Sequence, residues 1–230
     1  MRERTTFQKT LDRVQKLERQ IGKRLALIRQ LYEGENLDTA YRESLKLEEI
    51  AERLVLVART LPAYTGFPFA AKEVKQVISA CVPVQMGFTA EGWFCLRIPA
   101  LLPKKEAGSA DYVRSFLYPA MQDFFREQPP VRYEDCVLTY RHVYDHRRPV
   151  RRRRDHDNIE TNMVSDILAL YLLPDDGPAV CSHYACSAAG PEERTEVYVV
   201  PREDFPRWLA AEKFMPEKGV RLYQNRSEQP

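Results

Sequence analysis

The sequence predicts an α+β fold in which a small sheet with flanking helices is preceded by an α-helical hairpin. Two observations support this prediction. Residues 1–62 repeat apolar side chains at steps of three and four, which is the period of an amphipathic helix. From residue 92 onward, short runs rich in β-branched and aromatic residues alternate with helical patterns, which is typical of a domain built from both kinds of element.

The composition limits the classes of protein to be considered. The chain has 230 residues, which suits one large domain or one domain with an accessory segment. Hydrophobic residues make up 44% and charged residues 30%, so the chain can bury a core. The formal net charge is only +2, so attraction to an anionic partner must come from local clusters of charge.

The sequence also indicates a compartment. No apolar run approaches the roughly 20 residues of a membrane span, and the charged N-terminus lacks a signal-peptide core. The five cysteines are scattered, without a CxxC pair or histidines at zinc-ligand spacing. We therefore expect reduced thiols and a cytoplasmic protein without a zinc site.

Residues 1–62 predict two long helices. Leu11 to Leu31 form the first apolar stripe, Gly34-Glu35-Asn36 breaks it, and Leu47 to Leu61 form the second stripe before Pro62. Two helices joined by a short turn predict an antiparallel, coiled-coil-like hairpin. Its role is either packing and dimerisation or, alternatively, clamping nucleic acid or binding a partner.

The remaining chain divides into three parts. Residues 63–91 are interpreted as a connector with one short helix around 71–80, residues 92–204 as the α/β domain, and residues 205–230 as a C-terminal helix and tail. Within the α/β domain the patterns predict strands at 93–98, 136–144, 180–185 and 196–200 and helices at 109–125 and 158–172. Ser109 is the expected N-cap of the first of these helices, Asp157 or Asn158 that of the second, and residues 192–194 are interpreted as a hairpin tip.

An unusual cluster of basic residues follows the second predicted strand. Six of the eight residues 147–154 are arginine, and such a density on a short loop is self-repelling. Arginine forks match phosphate oxygens, so a phosphate-binding loop is favoured over a solvated loop without a partner. The predicted DNA-binding residues are Arg147, Arg148, Arg151, Arg152, Arg153 and Arg154, together with Lys104 and Lys105 of an earlier loop.

Carboxylates come directly after the arginines and again one helix later. Asp155 and Asp157 belong to the first group, and Asp175 and Asp176 form the second. If the fold returns Asp176 to the first pair, these oxygens would suit Mg²⁺ beside the phosphate-binding arginines, an arrangement that indicates phosphodiester hydrolysis. The alternative is that these acids only cap a helix and form a turn.

Three further residues are weaker candidates. His156 and His183 could orient water or phosphate, although a single histidine is more often structural or exposed. Asp166 lies inside the predicted helix, where it would face either the acidic residues or solvent.

The arginine run, the motif Asp155-His156-Asp157-Asn158, the helix and Asp175-Asp176 together resemble the RusA-like Holliday junction resolvases. The resemblance covers about residues 92–202 and does not include the helical hairpin. It implies a small mixed sheet, a homodimer, Mg²⁺ as cofactor and cleavage of four-way DNA junctions in recombination or repair. Because members of this family are often carried by phages and mobile elements, it also makes such an origin an expectation.

The resemblance implies roles for individual residues. Asp155, Asp157 and Asp176 match the metal-binding, catalytic aspartates, while Asp175, Asn158 and Thr161 are possible auxiliary residues. The family places a catalytic lysine four positions after the second motif aspartate, where this chain has Thr161, and no lysine occurs between Lys105 and Lys213. Alternatives are therefore a junction-binding relative with weak or absent catalysis, and an interaction protein built on the hairpin.

Overall fold

The computed structural model describes residues 5–106, 108–126, 128, 131–150 and 153–224. The chain divides into two compact units, Met1–Gln76 and Val77–Pro230. The boundary between them falls inside the segment that the sequence interprets as a connector. The predicted α+β class is confirmed, because the chain contains a five-stranded mixed sheet with flanking helices.

The first unit is built on a helix pair, α1 (Thr6–Glu33) and α2 (Leu37–Thr60). The Thr5 hydroxyl accepts from the Gln8 amide while the Gln8 side chain accepts from the Thr5 amide, so a capping box begins α1. The predicted break lies at the turn between the helices, where Glu35 has a φ of 58° and the Asn36 side chain caps α2. A 3₁₀ turn, Leu61–Thr65, and the start of α3 (Ala70–Cys81) follow.

The helix pair leaves much of its apolar stripe accessible. No residue of α1 is fully buried, and Ala40 is the one fully buried residue of α2. Leu25 and Leu37 keep half or more of their surface exposed. The two helices contact each other through the Arg24–Glu43 ion pair among others. This pairing alone therefore covers the hydrophobic stripes only in part.

The second unit contains a sheet in the order β1-β2-β5-β3-β4. All neighbouring strands are antiparallel except β3 and β4, which are parallel and joined by a crossover through a helix. The strand bounds are β1 (Gln85–Phe88), β2 (Phe94–Ile98), β3 (Cys136–Asp145), β4 (Cys181–Gly190) and β5 (Arg194–Pro201).

Helices cover both faces of this sheet. On one face lie α4 (Ser109–Phe125), whose Phe124 packs edge-on against Phe94 of β2, and α5 (Asn162–Leu172), whose Ser165 hydroxyl is hydrogen-bonded to Tyr140 of β3 at 2.7 Å. On the other face lies α6 (Phe205–Glu212), where Trp208 is fully buried against Tyr198 of β5.

The structure corrects several boundaries predicted from the sequence. The helix predicted to begin at Asn158 begins at Asn162, because His156–Asn158 forms a separate 3₁₀ turn. The N-cap of α4 is Gly108 (φ 94°), since the Ser109 hydroxyl bonds back to residues of the preceding loop. Residues 192–194 do not form a hairpin tip, because the chain crosses from β4 over β3 before β5 begins. No described helix has the length and apolar character needed to cross a bilayer.

Candidate functional site

The described arginines of the run follow the carboxyl end of β3, and the first two of them are paired with acids. Arg147 donates from Nε and Nη2 to the two Asp145 oxygens at 2.9 and 2.5 Å. These hydrogen bonds hold the pKa of Asp145 well below its usual range. Arg148 makes a similar two-pronged contact with Glu193, which lies in the crossover between β4 and β5. The repulsion expected within the run is thus partly relieved by carboxylates.

Tyr144 contacts Arg153 and Arg154, which are the last two arginines of the run. The Arg153 guanidinium lies 5.4 Å from the centre of the Tyr144 ring, and the Arg154 amide donates to the Tyr144 hydroxyl at 3.1 Å. The Arg154 guanidinium donates to the Leu102 carbonyl. Each of the four described arginines of the loop therefore has a partner within the chain, while Arg151 and Arg152 lie outside the described residues.

The acidic motif lies directly against the second basic loop. The Lys105 amide donates to the Asn158 carbonyl at 3.0 Å, and Lys104 forms a β-bridge with Ile159. Lys104, Lys105, Asp155, Asp157 and Asn158 are all exposed. The fold thus brings Lys104 and Lys105 beside the motif on one side, while the arginine loop precedes it on the other.

Thr161 does not lie one turn inside the helix. It occupies the N-cap position of α5, and its carbonyl accepts hydrogen bonds from the Ser165 hydroxyl and from Tyr140. The position where the resemblance expects a lysine therefore anchors the start of α5 to β3. Asp157 and Asn158 cap no part of this helix, since three residues lie between Asn158 and Asn162.

Two polar residues that sequence reasoning missed lie beneath the motif. His142 on β3 and Ser187 on β4 are register partners, and Ser187 Oγ is 2.8 Å from Nε2 of His156. The His142 ring is fully buried and tilted against the His156 ring, with 5.5 Å between the ring centres. Neither nitrogen of His142 has a hydrogen-bond partner among the described residues. Burial, and then the nearby charge of His156, lower the pKa of His142 to about 4.

The second acidic group lies at the opposite end of α5. Asp175 and Asp176 are exposed in the turn after the helix, and the Asp176 carbonyl accepts from Cys181 Sγ at 3.3 Å. Burial, followed by repulsion from Asp176, raises the pKa of Asp166 on α5. Burial lowers the pKa of His183, while the charge of Asp176 acts in the opposite direction. Asp166, Asp176 and His183 thus share one electrostatic environment.

The two acidic groups are separated along the sheet. His156 contacts Ser187, whereas the Asp176 carbonyl accepts from Cys181 Sγ at 3.3 Å, six residues earlier on the same strand. Six residues of a strand span about 20 Å, while ligands of one Mg²⁺ lie about 2 Å from the ion. Consistent with this, the described residues contain no group of three His, Cys, Asp or Glu side chains able to hold a metal ion.

The predicted ligands therefore fit one Mg²⁺ ion only in part. Asp155 and Asp157 are exposed oxygen donors of the kind that Mg²⁺ prefers, and basic residues lie beside them. Asp176 is an equally suitable oxygen donor, but within one chain it lies away from Asp155 and Asp157, near the other end of β4. The site in one chain therefore offers basic residues that can bind phosphate oxygens, together with two carboxylates.

Comparison with known proteins gives one match. A family model described as a family of unknown function (DUF6100) matches residues 3–226. No curated protein and no solved structure matches the chain.

Proposed function

The chain belongs to DUF6100, a family of unknown function, and we propose that it is a Mg²⁺-dependent endonuclease that cleaves branched DNA, with the four-way junction as its substrate. The observation that carries the proposal is the pair of exposed carboxylates, Asp155 and Asp157, placed between two basic loops at the carboxyl end of β3 and β4. Open sheets bind ligands at this end of parallel strands.

The chemistry of the flanking loops favours a nucleic-acid backbone. Phosphate contacts from Arg and Lys supply most of the affinity of proteins for DNA. Lys104 and Lys105 are exposed beside the motif, and Arg147 keeps 88% of its side chain exposed while paired with Asp145. A phosphate could replace the Asp145 carboxylate as the partner of this guanidinium, because both offer paired oxygens to the same fork.

The order of residues adds support through the resemblance to RusA-like resolvases. In that role, Asp155 and Asp157 would hold Mg²⁺, and the basic loops would orient the strands that flank the scissile phosphate. Mg²⁺ would supply Lewis-acid stabilisation of the phosphate oxygens and a water of lowered pKa.

We also propose that the helix pair forms an antiparallel hairpin that serves packing or association.

A second candidate is a junction-binding protein without turnover. Thr161 favours it, because its carbonyl is occupied by Ser165 and Tyr140 and its side chain cannot supply the positive charge that the resemblance expects. Arg154 is the nearest alternative cation in sequence, but its guanidinium donates to Leu102. Arginine can stabilise developing negative charge and is a poor proton donor.

The test is a cleavage assay on a labelled four-way junction with Mg²⁺ or with EDTA. We expect paired nicks with Mg²⁺ and at least a hundredfold slower cleavage by Asp157→Asn, on the order of the loss when a catalytic group is removed, with unchanged junction binding. Asp123→Asn on α4, an exposed carboxylate paired with Arg126, is the matched control and should cleave normally.

Two outcomes would change the assignment. Junction binding without cleavage in Mg²⁺ or Mn²⁺ would favour the second candidate. Equal nicking by the wild type and Asp157→Asn would remove Asp157 from the mechanism.

A further inference from the structure

The histidine between the two acidic residues of the motif points inward. Asp155 and Asp157 are exposed, whereas His156 is half-buried. Residues 156–158 form a 3₁₀ turn in which the Asn158 amide donates to the Asp155 carbonyl at 3.1 Å and the Ile159 amide donates to the His156 carbonyl at 3.4 Å. The turn thus directs its carboxylates to solvent and its imidazole towards the sheet.

Two polar side chains of the sheet contact this imidazole. The Ser187 hydroxyl is hydrogen-bonded to Nε2 of His156 at 2.8 Å, and the His142 ring lies against the His156 ring with 5.5 Å between the ring centres. Ser187 and His142 are register partners on β4 and β3. They lie on the face covered by α5, because Tyr140, two residues before His142, is bonded to Ser165 of that helix. The imidazole therefore contacts two neighbouring strands.

Backbone hydrogen bonds hold the motif on either side of this imidazole. Before the motif, the Arg154 amide donates to the Tyr144 hydroxyl at 3.1 Å. After the carboxylates, the Lys105 amide donates to the Asn158 carbonyl at 3.0 Å. Neither of these two contacts lies between the carboxylates in sequence. The hydrogen bond between His156 and the sheet does, so it acts on the segment that sets the distance between them.

We propose that His156 and Ser187 are positioning residues, and that their hydrogen bond holds the two carboxylates of the motif in the arrangement that binds a divalent cation. This inference rests on the proposed function for the identity of the ligand. Both residues act through the backbone of the turn, because the imidazole points to the sheet while the carboxylates are exposed. The His142 ring supports the imidazole from β3 by ring contact.

The physical reason is the cost of ordering two like charges. Two carboxylates that share a cation repel each other until the cation binds. The apparent dissociation constant of a ligand rises as the fraction of molecules in the binding conformation falls. Residues that orient metal ligands without touching the metal therefore change its affinity. Because a hydrogen bond of this kind shifts a local equilibrium by about fivefold, its loss should weaken cation binding by a similar factor.

The first test measures the anchoring of the turn without metal or DNA. Ser187→Ala should raise the hydrogen-exchange rates of the Asn158 and Ile159 amides by about fivefold, and Ser187→Thr, which keeps a hydroxyl, should restore them. Ser182→Ala is the matched control, because it removes a hydroxyl of the same strand that accepts from Arg202 at 3.1 Å. Equal exchange in the wild type and Ser187→Ala, or faster exchange throughout the chain, would overturn the inference.

The second test measures cation binding without cleavage. Mn²⁺ prefers the same oxygen ligands as Mg²⁺, and its binding is followed by electron paramagnetic resonance. We expect the wild type to bind a Mn²⁺ ion that Asp157→Asn removes, Ser187→Ala to bind it about fivefold more weakly, and Ser187→Thr to bind it normally. Junction binding in EDTA should be equal in all four proteins. A wild-type Mn²⁺ affinity in Ser187→Ala would overturn the inference.

The third test separates this inference from the proposed function. Ser187→Ala should raise the Mg²⁺ concentration that half-saturates junction cleavage by about fivefold and leave the rate at saturating Mg²⁺ within about twofold of the wild type. Slower cleavage at saturating Mg²⁺ with unchanged half-saturation would overturn the inference and leave the nuclease. Mn²⁺ binding through Asp157 without any cleavage would reject the nuclease, and the Mn²⁺ affinities would still decide the positioning role. A wild type that binds no Mn²⁺ through Asp157 would overturn the inference.

Discussion

His142 shows how one buried side chain can make the fold sensitive to pH. Its ring is fully buried, and burial lowers its pKa to about 4. The same group has a pKa near 6.5 in an unfolded chain, so the unfolded state binds the proton more tightly. The stability that this group contributes is present above pH 6.5 and is lost as the pH falls towards 4, by up to about 3 kcal/mol.

We therefore predict that His142→Leu flattens the pH dependence of stability. At pH 7.5 the free energy of unfolding should change by less than about 1 kcal/mol, because the substitution removes a buried polar group that lacks a partner. Urea unfolding at pH 7.5 and 4.5 measures both quantities. His146→Leu, which alters a half-exposed ring, is the control. An unchanged difference between the two pH values would show that another group controls acid sensitivity.

At the scale of elements, the arginine loop is fixed to β3 mainly through Tyr144. The Tyr144 hydroxyl bonds to the backbone of Arg154, and its ring supports Arg153. Tyr144→Phe keeps the ring and removes the hydroxyl. The loss of such a hydrogen bond costs about 1 kcal/mol, which corresponds to about a fivefold larger open population of the loop.

We expect trypsin to cleave the Tyr144→Phe variant within residues 147–154 about fivefold faster than the wild type. Mass spectrometry of the early fragments under native conditions measures this rate. Tyr118→Phe on α4, a half-buried ring far from the loop in sequence, should leave the rate unchanged. Faster cleavage of other segments to the same extent would indicate global destabilisation instead of release of this loop.

The bounds of helices and strands are predictable from the sequence only where the local signals agree with one another. Helix α4 has the predicted bounds, because its apolar pattern and its preceding loop agree. The start of α5 was predicted too early, since Asp157 and Asn158 are good N-cap residues and form a 3₁₀ turn instead. Strand β1 gave no sequence signal, because four residues containing a glycine become a strand only through pairing with β2.

The candidate site was predictable only where its parts are contiguous. Asp155 and Asp157 follow the arginines directly in sequence, so their proximity needs no tertiary information. His142 and Ser187 meet His156 through strand register, which a single sequence does not reveal. The separation of Asp176 follows from the direction of α5, whose two ends lie at opposite ends of β4.

At the scale of the molecule, Glu196 joins β5 to β3, to a helix and to the C-terminal segment, and it also lies 3.6 Å from Arg97 Nε of β2. It is fully buried on β5 and accepts hydrogen bonds from Arg141 of β3 and from Arg194. Arg194 also donates to the Glu217 carbonyl, and Arg141 lies 3.5 Å from Glu212 of α6. Burial alone would raise the pKa of Glu196, but the arginines outweigh it and lower the pKa.

We predict that Glu196→Ala lowers the free energy of unfolding by about 3–5 kcal/mol, because it leaves buried guanidinium groups without their common partner. Urea unfolding at pH 7 measures the loss, and Glu134→Ala at an exposed position is the control. Because the pKa of Glu196 is lowered on folding, the stability from this group is present above its unfolded pKa and declines as the pH falls through its folded value. A loss below about 1 kcal/mol would show that the arginines are stabilised by other partners.

The position of β5 has a consequence for synthesis of the protein. This strand is the last of the five in sequence, yet it lies at the centre of the sheet between β2 and β3. A nascent chain that ends before residue 194 therefore lacks the strand that joins β1 and β2 to β3 and β4. The two halves of the sheet remain unjoined on the ribosome until residues 194–201 have emerged, and closure then depends on contacts far apart in sequence, which form slowly.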